Sequence, residues 1–256
     1  SGLTAPALAI YERLFDEDPT DDAVARGLAR LALFLGRTDL ASGAATALAS
    51  AGAGSGDLAL AAEVARTTGD LDLALARAEA AVDADPKDPD AHHQVALALL
   101  ELGADDPEAT GPIQAALRRA IHNDPGRTEA RHLLGTLLLQ AGEEKRGAEQ
   151  LSALERIQEL GAPAFAEADP ATRIQQARAV GRELPEWSRP QLEIARAQLA
   201  LGRAVKAEET LVEAMQLKPR TLELYKLRYA AAIARGDEKA RKNWLERWNT
   251  KRGQDG

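Results

Sequence analysis

The sequence predicts an all-α protein, a right-handed superhelical solenoid of stacked helix–turn–helix pairs. Three observations carry this. First, residues such as Leu71, Leu75, Ala78 and Val82, then His92, Val95, Ala96 and Leu99, recur at helical spacing in successive blocks. Second, the blocks are cut at a regular interval. Turn glycines stand at Gly36, Gly69, Gly103, Gly142, Gly202 and Gly236, with successive gaps of 33, 34, 39, 60 and 34 residues. Third, alanine and leucine dominate while aromatics make up 4% of 256 residues and β-branched residues are sparse, which favours helix over sheet. A helical pair is too thin to bury its apolar side alone, so a repeat of this kind stacks.

Taken in order, residues 4–17 form one helix that ends before Pro19. Asp21 and Asp22 place acid at the start of the next helix, where the dipole favours it. That helix carries Val24, Leu28, Leu31 and Leu35 and stops at Gly36; its partner runs over 38–51. The segment AGAGSG, residues 51–56, is the loosest linker. It lacks the Lys-Ser/Thr ending of a phosphate loop and follows no strand. Helices follow at 57–68, 71–84, 88–102, 109–123, 127–141 and 144–160. Proline has no amide donor and its ring clashes with the preceding turn, so Pro86 and Pro89 separate two of them sharply. Pro86 and Pro219 each lie 17 residues after a turn glycine. Pro125 lies 22 after Gly103, which implies a five-residue insertion near Asp105-Asp106-Pro107. Residues 161–187 do not fit the period: Pro163, Pro170 and Pro185 bracket a short piece and one helix near 171–183. The last helices run over 188–201, 204–217, 221–235 and 238–250. The expected organisation is an array over 1–160, an irregular joint over 161–187, and a closing pair over 188–256 with a basic end helix.

The 34-residue period with small residues at set places resembles the tetratricopeptide repeat (TPR) family, in its bacterial form. Ala61, Ala62, Ala74, Ala78 and Ala81 fall on the family's packing positions, as do Leu134, Gly135 and Leu138 after Pro125. Ile194, Ala195, Ala207, Leu211, Ala214 and Pro219 do so near the end. Ala7, Tyr11, Leu14 and Pro19 match the second helix of a repeat. The family's tryptophan and tyrosine positions are mostly filled by smaller residues here.

Net charge is −8, with a pI near 5.2, which argues against general nucleic-acid binding. The chain has no cysteine, so disulfides, thiolate nucleophiles and cysteine-bound metals are excluded. No apolar run is long enough to span a bilayer. The chain opens Ser1-Gly2 rather than Met, which leaves room for a removed leader or lipid anchor. A periplasmic or cell-envelope location is favoured over the cytoplasm. HExxH, P-loop, Rossmann and GxSxG patterns are absent. The expectation is a non-enzymatic protein without cofactor or metal.

What the resemblance implies for the site is a concave surface lined by the first helix of each pair, with ligand contacts at its second, fifth, ninth and twelfth positions. Those positions hold Asp90, His93, Leu97 and Leu100; then Glu129, His132, Thr136 and Leu139; then Arg189, Leu192, Arg196 and Leu199. Ala59, Glu63 and Arg66 belong to the pair before. The expected peptide-binding set is His93, Leu97, Leu100, His132, Thr136, Leu139, Leu192, Arg196 and Leu199. Leucines there suit an amphipathic helix or extended peptide. His93 and His132 occupy the same position in consecutive repeats, which suggests a pH-sensitive or anion-reading pair. The Lys and Asn clamp of chaperone-binding relatives is absent, since Ala59, Glu63, His93 and Leu97 fill its slots.

The leading functional reading is a scaffold, chaperone-like in its binding, that holds a protein segment within a bacterial multiprotein assembly. The insertion followed by ATGPIQAALRRAIHNDPGRTEARHLLGTLLLQAG is similar to the TPR subunit of cytochrome c maturation, over about residues 70–160. That likeness implies binding of an apocytochrome's C-terminal helix. A further reading is self-assembly or peripheral membrane docking through the end helix. From Glu238 to Arg252 it holds six Lys/Arg against two Glu. Lys239, Lys242, Trp244, Trp248 and Lys251 are the contact candidates.

Overall fold

The computed structural model describes residues 4–50, 52–103, 109–217 and 221–254, and among them finds fifteen helices and no strand. In order these are α1 (Thr4–Glu17), α2 (Asp22–Phe34), α3 (Thr38–Leu48), α4 (Ser55–Thr67), α5 (Leu71–Ala84), α6 (Pro89–Leu102), α7 (Thr110–Asn123) and α8 (Thr128–Gln140). Then come α9 (Glu144–Gly161), α10 (Pro163–Glu167), α11 (Pro170–Glu183), α12 (Arg189–Ala200), α13 (Ala204–Gln216), α14 (Glu223–Ala234) and α15 (Glu238–Gln254). The chain divides into two compact units between Glu143 and Glu144. Unit 1 holds α1–α8 and unit 2 holds α9–α15. Each is an all-α stack of helical pairs joined by short turns.

Two kinds of turn repeat, and each has a local cause. Gly36, Gly69, Gly142, Gly202 and Gly236 all have φ between 69° and 87°, a conformation that costs glycine nothing because it has no Cβ. In each case the following amide bonds back five residues, as in Arg37 N to Ala32 O (2.8 Å), Asp70 N to Ala65 O (3.0 Å) and Arg203 N to Gln198 O (2.8 Å). This closes the helix and redirects the chain into its partner. Gly103 departs from the expectation: its φ is −105° and its amide makes an ordinary helical bond to Leu99 O.

The second turn is Asp-Pro. Asp18, Asp85 and Asp124 each accept from the amide two residues on, at 3.0, 2.9 and 3.0 Å. Proline then blocks helix continuation. The proline carbonyl is used as well. His92 Nε2 donates to Pro86 O (2.9 Å), and Arg131 Nε, at the equivalent place one repeat later, donates to Pro125 O (2.8 Å). Asp21, Asp70, Asp88 and Asp169 cap the helices that follow them.

Small residues let the helices approach. In unit 1, Leu8, Leu28, Leu48 and Val64 interlock with Ala25, Ala29, Ala41, Ala44 and Ala45. A Cβ at Gly27 would stand 2.3 Å from the Tyr11 ring, so α1 lies on α2 only because that position is glycine. A second cluster joins Ile113, Leu117, Leu134 and Leu138 across α6, α7 and α8. In unit 2, Ile157, Leu160, Phe165, Ile174 and Val180 gather α9, α10 and α11, and Leu192, Leu211, Leu224 and Leu227 gather α12, α13 and α14.

The expected irregularity of residues 161–187 is narrower than its span. α11 has the length and register of α5, offset by 99 residues, so that Asp169 caps it as Asp70 caps α5 and Pro185 stands where Pro86 does. What broke the period in the sequence is Ala168, which occupies the place of turn glycine Gly69. The insertion near 105–107, Ala51 of the linker and Pro219 lie outside the described residues.

Candidate peptide-binding surface

The first helices of successive pairs stack side by side: α2, α4 and α6 in unit 1, and α12 and α14 in unit 2. Ion pairs and a hydrogen bond about one repeat apart stitch them together. Arg26 Nε meets Asp57 Oδ1 at 2.7 Å, Ser55 Oγ donates to Asp88 Oδ2 at 2.6 Å, and Arg66 Nη1 meets Glu101 Oε1 at 2.7 Å. Arg127, just before α8, pairs with Asp90 of α6 and donates from Nη2 to His93 Nδ1 at 3.1 Å.

That last contact overturns the expected histidine pair. His93 is only 6% exposed, whereas His132 is exposed. Burial, then the neighbouring Arg127 guanidinium, push the His93 pKa down to about 4; Glu129 and Asp90 oppose this without reversing it. His93 is therefore neutral from pH 5.5 to 7.5, and its Nδ1 lone pair is occupied by an arginine of its own chain.

Leu192 is also displaced from the expected surface. It is 1% exposed and sits in the core with Ala195, Leu211 and Leu224. Arg196 is engaged: with Arg189 it flanks Glu193, which is 3% exposed, and both arginines reach Glu223 of α14. Arg189 lies 2.6 Å from Glu193 and 3.0 Å from Glu223. The Thr136 hydroxyl is spent on the His132 carbonyl (2.9 Å). Leu97, Leu100 and Leu199 are half-buried, and Leu139 is exposed. Sequence reasoning missed Phe34, 77% exposed beside Arg30, Leu33, Leu60, Glu63 and Thr67 around a depression of about 330 Å³ between α2 and α4.

A simpler signal sorts these residues. The position three before each turn glycine holds Leu33, Arg66, Leu100 and Leu139 in unit 1, and Leu199 and Ile233 in unit 2. Five of these six are apolar, and none of the five is fully buried.

The end helix turns its tryptophans onto α14. Trp244 is 7% exposed; its ring centroid lies 6.4 Å from that of Tyr225, with the guanidinium carbons of Arg228 and Arg247 at 4.0 and 5.0 Å. Trp248 packs 6.2 Å from Tyr229, with Lys226 Nζ 5.5 Å away. Both rings thus bind α15 to α14, which buries Trp244 and half-buries Trp248, so the expected aromatic patch is largely committed to packing within the chain. Lys239 and Lys242 are exposed and Lys251 is half-buried. Among the described residues, no helix is long and apolar enough to cross a membrane, and no three His, Asp or Glu side chains gather as a metal site requires.

The opposite side of each unit carries a groove between second helices. In unit 1, α5 and α7 flank a groove of about 520 Å³ with walls at Glu79, Val82, Asp83, Ala115 and Arg119 and a floor of His92, Val95 and Leu99. In unit 2, α11 and α13 flank one of about 440 Å³ with Arg178, Arg182, Lys206, Glu209 and Glu213 on its walls and Gln191, Ile194 and Gln198 as its floor.

No protein-family profile matches the chain, and no curated protein matches it in sequence. Solved structures do. One described as the MamA RS-1 ArsTM double mutant is 20% identical, over 62% of this chain and 86% of its own, at a TM-score of 0.50. A human IFIT1 dimer with PPP-AAAA is 15% identical at a TM-score of 0.51; the alignment covers 95% of this chain but 58% of IFIT1, so the chain spans little more than half that protein's length. YrrB, described as a TPR protein with an unusual peptide-binding site, is 18% identical over 85% of this chain and 97% of its own, at 0.40. At such identities the likeness is one of fold.

Proposed function

We infer from this fold, a tetratricopeptide-repeat stack, that the protein is a protein-interaction scaffold, and that the first-helix face of unit 1 takes a polypeptide segment. The apolar row three residues before the turn glycines carries the reading. Leu33, Leu100 and Leu139 recur there with Phe34 beside the first of them, and the helices need none of these side chains fully buried in order to stack. A ligand with its own apolar stripe, a helix or an extended strand, would bury them. Each well-covered side chain contributes about 1.5–3 kcal/mol, against an association cost of about 4–15 kcal/mol. At the favourable end of both ranges four such anchors leave about 8 kcal/mol, a binder in the micromolar range suited to reversible assembly.

The test is selection of a displayed random-peptide library on the full chain, followed by affinity measurement of the enriched peptides. Selected peptides should carry apolar residues at repeated spacing and bind Leu33→Asp/Leu100→Asp/Leu139→Asp at least about tenfold more weakly, a loss of about 1.4 kcal/mol. Circular dichroism checks that the variant keeps its helices. Peptides that bind the variant as tightly as the wild type would remove this face from the proposal.

A further inference from the structure

The grooves on the opposite, second-helix faces of the two units are built in the same register. α11 and α12 lie 99 residues after α5 and α6, and α13 lies 94 after α7. Position by position, Glu79 corresponds to Arg178, Asp83 to Arg182 and Arg119 to Glu213. All three charges are inverted, while Lys206 and Glu209 of unit 2 correspond to the neutral Pro112 and Ala115 of unit 1. All six side chains are exposed, and none has an ion pair or hydrogen bond within its own chain among the described residues. Such charges are usually paired along a helix face or scattered; here they sit at matched places in two grooves lined by equivalent positions.

The floors of the two grooves differ. That of unit 1 is apolar at Val95 and Leu99, and that of unit 2 sets Ile194 between Gln191 and Gln198.

We propose that the protein self-associates, the second-helix face of unit 1 in one copy receiving the second-helix face of unit 2 in another. Pairing like faces would set Glu79 and Asp83 against the same carboxylates, or Arg178 and Arg182 against the same guanidiniums. Pairing unlike faces sets acid against base at every inverted position. The occupant is therefore a second copy, joined through two different surfaces rather than one self-complementary one.

Sedimentation velocity on the full chain over a range of concentrations reads this directly. The wild type should form dimers or larger species. Arg178→Glu/Arg182→Glu should weaken association at least about tenfold, and so should Glu79→Arg/Asp83→Arg. The chain carrying all four changes should regain it, because the opposition is restored with its sign reversed. These residues are exposed and unpaired, so unaltered circular dichroism is expected in every variant. Leu100→Asp/Leu139→Asp should leave association unchanged, which separates this proposal from the peptide-binding reading. A wild type that stays monomeric throughout overturns it, as does an oligomer indifferent to the reversals or one that the fourfold change fails to restore.

Discussion

α6 and α12 are the same helix built twice. They share a register, offset by 99 residues, each is the first helix of its pair, and each buries a polar residue at the same place in that register. In α6 that residue is Gln94, 8% exposed, with an Oε1 that finds no partner. In α12 it is Glu193, more deeply buried, with arginines on both sides. The neighbours change to suit: Asp90 becomes Arg189 and Leu97 becomes Arg196. A carboxylate cannot be taken out of water alone, so the buried acid recruits two cations, and those cations reach Glu223 of the next repeat. Unit 1 leaves a neutral amide under-satisfied and keeps Leu97 for its surface. The same scaffold position thus decides whether the face beside it is apolar or ionic.

Cutting the cations away breaks this difference most severely. In Arg189→Ala/Arg196→Ala, Glu193 remains buried without a partner, and the expected cost is about 3 kcal/mol; both arginines are partly exposed, which keeps it at the low end for a broken buried pair. Hydrogen-exchange mass spectrometry on α12 and α14 peptides should show faster exchange there and little change in α4 and α6 peptides. Converting the whole set toward unit 1, with Glu193→Gln added, should recover most of the loss. If the double variant exchanges like the wild type, the arginines do not hold the acid in place.

His93 gives the comparison a pH axis. Its folded pKa of about 4 lies below the usual 6.5, so below pH 6.5 the unfolded chain binds a proton that the folded chain does not. Stability is full above pH 6.5 and falls as pH drops toward 4, by up to about 3 kcal/mol. The equivalent residue in unit 2 is Leu192, which has no proton to take. Exchange of α6 and α8 peptides should accelerate between pH 6.5 and 4, after correction for intrinsic rates, more than that of α12 peptides. In His93→Gln that excess should vanish. The smallest expected effect is Gln94→Leu, which removes the unpartnered carbonyl and should stabilise unit 1 by about 1 kcal/mol in denaturant unfolding. A destabilisation of that size would mean that the amide has a role in the packing.

Helix boundaries were legible to within a few residues because their causes are local. A glycine at positive φ, an aspartate capping its own second amide and a proline stop act over four to six residues of chain, and the repeat multiplies each signal. Position alone was a poorer guide to the site. Positions five and nine mark the surface only while their neighbours leave it free; His93 is taken by Arg127, 34 residues away, and Arg196 by Glu223. The sequence places the tryptophans of α15 one turn apart but does not show what covers them, since the rings that claim them, Tyr225 and Tyr229, belong to the preceding helix.

By itself, then, the chain's pattern of small residues, turns and caps determined that helices form, where they stop and that they pair. Those are matters of backbone sterics and of apolar area that one helix cannot hide. Which side chains remain available was decided only when the pairs stacked. Burial and ion pairing depend on what arrives from the next repeat, and no short window of sequence contains both partners.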